Sequence, residues 1–414
     1  MNDLDKLKDH FKGFKNFDFI SNESLQSRTD AFDRFCKKGI PNLKQEHWKY
    51  SPLSKDLVHF EDLKFSKNED KSYDKSHLEA FDHYPVLVKD GFLISEQVSE
   101  EGLEITKYNK EYFYEIQKNQ ILDFNNAFFM PGFEIKIAKD YKVKKPIVIY
   151  NFFSKKFEGN NINNKSFIYL DKNSKAEIYE KNIFEGEQFL FFTKNLEIEL
   201  EENAHLVKYY LNSTNKNTTI YNFIRSKLQK SSVFEKFNFS HNVSSCRDEI
   251  ISDLNGRDAF VSLNNIQHLS QKCFHEIKWE INHNEENTRS SQFVKSALHD
   301  ESVAAFQGKI YVNSKAQKTD GYQLSRALLL SDQSKFLAKP ELEIYADDVK
   351  CSHGSSSGSI DQESIFYLRS RGISEQESKK MMIEGFLAEV INKIKNENIK
   401  NIFYSKLNEI NKSS

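Results

Sequence analysis

The chain has 414 residues, 38% of them hydrophobic and 29% charged, which allows one large core with appendages or two to three domains. Its net charge of -2, from 59 Lys and Arg against 61 Asp and Glu, gives no general attraction to nucleic acid or to an anionic membrane. There is no apolar run of the roughly 18 residues that a membrane span needs, and the charged N-terminus does not have the pattern of a signal segment. We therefore expect a cytoplasmic protein.

Residues 1–125 are predicted to form an N-terminal helical or mixed domain. The stretch SLQSRTDAFDRFCKKG starts with a Ser that can cap a helix. It places Leu25, Phe32 and Cys36 near one helical face, and Gly39 lies just beyond its end. The following EHWKYSPL has a Trp and a Tyr before a proline, which predicts an aromatic anchor that ties this region to the main body.

Residues 126–358 are predicted to form the core, because the hydrophobic period changes there from near 3.6 to 2, as in FEIKIA, KPIVIYNFF and GKIYVNSKA. No helical pattern interrupts this region for about 200 residues, which disfavours a fold of alternating strands and helices. The region is also longer than an ordinary β-sandwich. We predict a mainly β fold built on a parallel β-helix or another β-solenoid. Stacked side chains in such a fold would explain the 35 Phe and 18 Tyr residues.

Residues 359–414 are predicted to form a C-terminal helical domain. Capping boxes begin at Ser359 and Ser374, and Gly372 lies where the first helix should end. By default, the apolar stripe of the second helix packs on the core of the protein, although it would also make a convenient docking surface. The stripe consists of Ile383, Phe386, Leu387, Val390, Ile391 and Ile394.

The stretch ADDVKCSHGSSSG contains the strongest candidate for chemistry. If the strand predicted before it continues, Cys351 and His353 point to the same face with their Cα atoms roughly 6–7 Å apart. Thiolate and imidazole suit zinc or iron, but two ligands make only half of a tetrahedral site. The others would come from Asp347 or Asp348, from a distant coil or from a second chain. A structural Cys beside a hydrogen-bonded His is the competing interpretation.

The remaining cysteines and common motifs point to no other chemistry. Cys36, Cys246 and Cys273 are too widely spaced for a disulfide framework or a zinc ribbon. Cys273 and His275 repeat the two-residue spacing, yet their segment alternates as an ordinary strand, which favours cross-strand packing. The sequence has no GxxxxGK[ST], GxSxG or HExxH motif, so we do not expect an ATPase, a serine hydrolase or a zincin.

Residues 308–373 strongly resemble the C-terminal core of the SufB/SufD family, the scaffold components of the SUF iron-sulfur cluster assembly machinery. KTDGYQ, LLLS, ADDVKCSHG and FYLRSRGI carry the resemblance, and EHWKYSPL is similar to the family's N-terminal signature. SufB-like chains have a Glu after the His and a Cys in the FY motif, where this chain has Gly354 and Leu368; it therefore resembles the SufD branch. The implied fold has an N-terminal helical domain, a right-handed parallel β-helix and a C-terminal helical domain.

The resemblance implies a scaffold rather than an enzyme. Chains of the SufD branch pair with a SufB-like paralogue through their β-helices, and the nascent cluster is thought to form where the two meet. His353 matches the interfacial His implicated in cluster formation and Cys351 lies beside it, so the remaining ligands would come from the SufB-like partner. The ATP cycle of the ATPase SufC would open the interface and expose a thiol that burial keeps inert.

The resemblance also assigns partners and cofactors. The C-terminal helical region aligns with the part of the family that contacts SufC. No cofactor is expected to bind the isolated chain tightly; iron or a nascent iron-sulfur cluster would be held transiently in the complex. Reduced flavin is a further candidate, although no residue identifies a flavin site. The residues assigned to SufC docking are Ile383, Phe386, Leu387 and Val390.

Two other functions compete with this one. A carbohydrate-active enzyme on a β-helix, such as a polysaccharide lyase or esterase, would be expected to have a secretory signal and a charged groove, and neither is visible. A homodimeric iron-storage or iron-donor protein would use Cys351 and His353 from two identical chains, since a two-fold interface is self-complementary. Stoichiometry in the presence of a SufB-like partner distinguishes this function from the scaffold.

Overall fold

Helices lie at both ends of the chain and strands between them. The structure, a computed structural model, describes residues 3–51, 63–65, 70–95, 97–109, 119–155, 159–187 and 189–413. Within these ranges no helix is both long and apolar enough to cross a membrane. The helices are α1 (Asp3–Phe14), α2 (Asn22–Lys38), α3 (Gln120–Phe128), α4 (Gln362–Ser370), α5 (Glu375–Ile391) and α6 (Glu397–Ser413).

The strands run from residue 84 to residue 358. Those of the first half are β1 (Tyr84–Lys89), β2 (Phe92–Leu93), β3 (Val98–Glu100), β4 (Leu103–Lys107), β5 (Met130–Ile137), β6 (Ile147–Phe153), β7 (Asn161–Leu170), β8 (Lys175–Phe184) and β9 (Leu190–Leu200). Those of the second half are β10 (His205–Leu228), β11 (Val233–Leu254), β12 (Phe260–Leu269), β13 (Phe274–His283), β14 (Arg289–Leu298), β15 (Val303–Val312), β16 (Thr319–Leu329), β17 (Lys335–Ile344) and β18 (Val349–Gly358).

From β5 onward the strands wind into a β-solenoid of about seven turns. Successive strands alternate between two parallel sheets, and the long strands β10 and β11 contribute one half to each sheet. The first sheet ends with β12, β14, β16 and β18, and the second ends with β13, β15 and β17. The predicted mainly β solenoid with helices at both ends is thus confirmed.

The handedness of the coil and the domain boundaries after residues 125 and 358 stay predictions. Sheet structure does begin before residue 126, because β1 pairs in parallel with β6 and β4 pairs antiparallel with β5. The sequence pattern did not reveal these early strands, since they are short and separated by turns. The predicted helix around Cys36 is present as α2, with Gly39 as its C-cap. Its N-cap is Ser21, so the helix begins three residues earlier than predicted, and the expected cap, Ser24, lies in the first turn and donates from its amide to Ser21.

Each turn of the solenoid has a corner where one residue adopts a left-handed backbone conformation. The amide of the corner residue donates to the carbonyl that precedes the next corner; Asn173 N, for example, donates to Glu202 O over 2.9 Å. Asn and Asp tolerate this conformation better than most residues, but Ser and Lys also occupy it here. The corners therefore repeat in space without a strict sequence repeat. They are Asp140, Asn173, Asn203, Ser231, Asp258, Asn287 and Lys318.

Helices cover the outer faces of both sheets. The C-terminal helices α5 and α6 share an apolar cluster with the first sheet, and α1, α2 and α3 share one with the second. Trp48 is completely buried, donates from Nε1 to Gln120 over 2.6 Å and lies 4.4 Å below the Arg247 guanidinium. The predicted aromatic anchor is therefore present, and it holds the N-terminal region against the second sheet.

Replacing Arg247 by Met should destabilise the chain strongly. Its buried guanidinium donates to Glu249 over 2.9 Å and to Glu276 over 2.7 Å. Burial lowers the pKa of Arg247, but Glu276 and Glu249 outweigh burial and raise it. Removing the cation leaves the buried Glu276 carboxylate without an ion-pair partner among the described residues and leaves Glu249 with only His47, at 3.2 Å, so we expect a loss of about 3–5 kcal/mol in the free energy of unfolding.

Urea unfolding of Arg247→Met beside Lys230→Met measures this loss. Lys230 pairs with Glu202 at 3.1 Å on the surface, so its replacement should cost less than about 1 kcal/mol. Equal effects of the two substitutions would show that the Arg247 network does not stabilise the fold.

Candidate functional site

The last strand of each sheet is exposed. Among the described residues, β18 pairs only with β16, and β17 pairs only with β15. No residue of β17 or β18 is fully buried, whereas nine of the ten residues of β12 are. An exposed parallel edge offers its backbone groups to another strand, and proteins usually cover or blunt such edges. Within the described residues, this end of the solenoid therefore leaves both sheet edges open to pairing.

Cys351 lies on this end strand and is half-buried. Its thiol packs in a small apolar cluster with residues of β15 and β17, including Ile310 and Leu342. Its register partner on β16 is Gly321, and a Cβ added there would lie 3.4 Å from the Cys351 Sγ. Burial raises the pKa of the thiol, the Gly321 backbone opposes the rise and Asp320 adds to it. The thiol is accordingly a poor nucleophile while the residues of this cluster cover it.

His353 follows two residues later on the same strand and is exposed. Its register partner is Gln323 on β16, which in turn pairs with Gln292 on β14. Both glutamines are buried, and their amide nitrogens and oxygens have no hydrogen-bond partner within the described residues. Gln292, Gln323 and His353 thus occupy matching positions on three adjacent strands and form a polar ladder that ends at the exposed imidazole. Hydrophobic pattern did not reveal either glutamine, although Gln323 and Gln292 lie one and two turns before His353 along the chain.

The strand predicted before Cys351 does not continue through it, because β17 ends at Ile344 and a turn at 345–348 leads to β18 in the other sheet. Cys351 and His353 nevertheless share β18, but the structure does not complete a metal site. In the described part of the chain, no three His, Cys, Asp or Glu side chains converge as a metal site would require. Asp347 and Asp348 are exposed in the turn before β18, where the Asp348 amide and carbonyl bond to the preceding coil. Whether Cys351 and His353 act as ligands, and which groups would join them, stays a prediction.

The second Cys and His pair packs inside the fold. His275 is buried, and its Nε2 lies 2.8 Å from the Val243 carbonyl oxygen. Its register partner is the buried Cys246 on β11. Cys273 lies in a different apolar cluster, with Leu298 and other neighbours. The expectation of ordinary cross-strand packing is confirmed for this segment.

The apolar stripe of α5 packs on the protein itself. Ile383, Leu387 and Val390 are 5%, 0% and 1% exposed and belong to the cluster between α5, α6 and the first sheet. Phe386 is partly buried against the same cluster, with the Lys295 ammonium 4.0 Å from its ring centre. The default interpretation of the stripe as core thus describes this structure. Contact of these four residues with an ATPase stays a prediction, and it would require α5 to leave the sheet.

Other apolar side chains in the C-terminal region are exposed. Phe366 and Tyr367 on α4 are 74% and 57% exposed, and Met381 on α5 is 48% exposed. Of the nine residues of α4, only Ile365 is buried. The stretch FYLRSRGI gave no sign that its two aromatic rings face outward. A large exposed aromatic pair on one short helix is typical of a protein-binding surface.

Comparison with known proteins agrees with this architecture. The family model described as SUF system FeS cluster assembly, SufBD core domain, matches residues 152–386, more than half of the chain. Iron-sulfur cluster assembly protein SufD of Escherichia coli is 26% identical over 377 residues, which cover 89% of this chain and 88% of that protein.

Two further relatives match shorter parts. Protein ABCI7, chloroplastic, of Arabidopsis thaliana is 26% identical over 64% of this chain and 58% of its own length. An iron-sulfur cluster assembly SufBD family protein of Synechocystis sp. is 38% identical over 25% of this chain and 23% of its own length. On the extent of the core-domain match, this chain belongs to the SufBD family of iron-sulfur cluster assembly proteins.

Proposed function

We propose that this chain is a non-enzymatic scaffold subunit that pairs with a SufB-like paralogue in the cytoplasm and helps to form iron-sulfur clusters where the two meet. The observation that carries the proposal is the exposed end strand β18, which presents His353 and the half-buried Cys351 at an uncovered sheet edge. Similarity to E. coli SufD over most of both chains supports the same role.

Iron or the nascent cluster is the cargo of this interface. Cys351 and His353 offer one sulfur and one nitrogen ligand, and the SufB-like partner would supply the others. Because burial by neighbouring residues of its own chain raises the pKa of the thiol, the site is inert while β18 stays packed against them. An ATPase that pulls on the interface would shift β18, expose the thiol to water, lower its pKa and admit iron and sulfide.

The C-terminal helices would bind the SufC-like ATPase through their exposed side rather than through the buried stripe. Phe366, Tyr367 and Met381 are large apolar side chains that the described residues leave exposed. Exposed aromatic residues often dominate the energy of a protein interface. This assignment keeps the predicted ATPase contact in the C-terminal region but transfers it from α5's inner face to α4 and the outer face of α5.

Phe366→Asp should weaken ATPase binding without unfolding the chain. Loss of an aromatic contact at the centre of an interface costs about 2 kcal/mol or more, which is roughly thirtyfold in the dissociation constant. The measurement is co-purification and titration of a SufC-like ATPase with the tagged chain, together with its thermal unfolding. Pairing with a SufB-like partner should be unchanged.

Leu387→Asp is the matched control for this substitution. Leu387 is completely buried, so a charge there should lower stability by several kcal/mol and impair binding of both partners. If Leu387→Asp leaves the chain stable and selectively abolishes ATPase binding while Phe366→Asp does not, the docking surface is the predicted stripe.

A further inference from the structure

A cavity of about 510 Å³ lies between α2 and strands β4 and β5, at the start of the solenoid. Six strand-to-strand steps in the second sheet separate β5 from β15, and one more leads to β17 at the end; this is roughly 35 Å in all. The cavity therefore shares no residue with the end strand β18. Its walls include Arg28, Tyr108, Lys107 and Ser21.

Arg28 is a buried cation without a carboxylate partner in the described residues. Its side chain is 2% exposed, and its Nη1 donates to the carbonyls of Ala127 and Phe129 over 3.3 and 3.0 Å. The guanidinium carbon lies 3.5 Å from the centre of the Phe129 ring. Its Nε is buried and has no hydrogen-bond partner among the described residues. The two backbone carbonyls and the Phe129 ring thus contact one part of the guanidinium group, and its Nε–H is left without an acceptor among the described residues.

Tyr108 adds a second unsatisfied donor to the same cavity wall. It is 2% exposed, and its hydroxyl has no hydrogen-bond partner among the described residues. A buried hydroxyl or guanidinium N–H without a partner costs about 1–3 kcal/mol. Two such groups beside one cavity indicate that the cavity accepts a molecule with hydrogen-bond acceptors.

The neighbouring charges leave the Arg28 cation in excess. Lys165 lies 3.5 Å from Glu197, and Lys136 lies 3.2 Å from Glu134. These two carboxylates are therefore already paired with ammonium groups. The cavity lining also includes Glu104, and it carries three cations, Arg28, Lys107 and Lys136, against the two carboxylates Glu104 and Glu134. Burial lowers the pKa of Arg28 to about 9, a direction that an anion beside it would reverse.

Helix α2 strengthens the positive potential at this place. Its N-cap Ser21 and first-turn Ser24 both line the cavity. Amide dipoles at the N-terminus of a 17-residue helix favour negative charge. A planar guanidinium fork binds carboxylate or phosphate oxygens through two parallel hydrogen bonds.

We propose that this cavity binds a small molecule carrying a phosphate or carboxylate group, held by the Nε side of Arg28 and the hydroxyl of Tyr108. The oxyanion would accept from the guanidinium on one side and from the phenol on the other, with the α2 N-terminus nearby. This binding site goes beyond the scaffold function and does not rest on it, because it is built from residues at the opposite end of the solenoid.

Thermal unfolding and calorimetric titration of the full chain test the proposal, with inorganic phosphate and acetate as probes and sodium chloride at matched ionic strength as the reference. We expect at least one of the two anions to bind saturably and to raise the melting temperature beyond chloride. The anion that binds more tightly identifies the headgroup. Arg28→Lys keeps the charge but loses the fork, so the dissociation constant should rise about tenfold or more.

Tyr108→Phe is the second variant, because it removes one hydroxyl with little change in shape. It should raise the dissociation constant several-fold while leaving the unliganded melting temperature close to that of the unmodified chain. The proposal is overturned if neither anion binds saturably beyond chloride, or if both variants bind it as tightly as the unmodified chain.

Discussion

His353→Ala is expected to leave the chain folded and able to join its partners but to reduce cluster formation in the assembled complex. The imidazole is exposed on β18, so its removal opens no cavity in the core. Loss even of a residue that only supports a metal ligand lowers metal affinity about 10–100-fold, and loss of a ligand should cost at least as much. The measurement is iron and acid-labile sulfide per complex after anaerobic reconstitution.

His77→Ala serves as the matched control for this experiment. His77 is also exposed but lies before β1, far along the chain from β18. Its replacement should leave the cluster content unchanged. Full cluster yield in the His353→Ala complex would remove His353 from the mechanism and leave Cys351 without its proposed co-ligand.

Acidification from pH 7 to pH 5 is expected to cost the folded chain several kcal/mol. Burial lowers the pKa of His241 and His275 to about 4, and of His268 and His283 to about 3. In the unfolded chain these groups have a pKa near 6.5 and bind protons first as the pH falls. The neutral histidines therefore contribute to the free energy of unfolding above pH 6.5, and this contribution is lost as the pH falls below that value. The loss between pH 7 and pH 5 is about 2 kcal/mol for each histidine.

Urea unfolding at the two pH values measures this loss, and His268→Leu provides the control. Neither ring nitrogen of His268 has a partner among the described residues, so Leu should fit the site and remove one titrating group. Between pH 7 and pH 5, the free energy of unfolding of that variant should fall by less than that of the unmodified chain, and the difference should equal the contribution of one histidine. A free energy of unfolding that is the same at pH 7 and pH 5 would show that these imidazoles are not held neutral by burial.

The two-residue period of the hydrophobic pattern predicted the class of fold well, because the side chains along every strand of a solenoid point alternately inward and outward. It could not locate the early strands β1–β4, which are short. Nor could it show a repeat, since residues as different as Asn203, Ser231 and Lys318 occupy equivalent corners. The backbone conformation recurs at these corners, but the side chain that adopts it does not.

The sequence could predict only those parts of the candidate site that lie on the same strand. Alternation placed Cys351 and His353 on one segment, but the polar ladder of Gln323 and Gln292 depends on the register between coils. For the C-terminal helices, spacing identified an apolar stripe without showing what covers it. The first sheet covers Leu387, whereas Phe366, outside that stripe, is the residue left exposed.

Native mass spectrometry of the tagged chain, co-expressed with SufB-like and SufC-like counterparts, tests the central claim most directly. Iron and acid-labile sulfide analysis of the same complex after reconstitution completes the measurement. The scaffold function predicts a complex of one copy of this chain, one SufB-like chain and two SufC-like chains, whose cluster is lost when His353 is replaced. A stable homodimer of this chain that leaves the SufB-like chain unbound would contradict it.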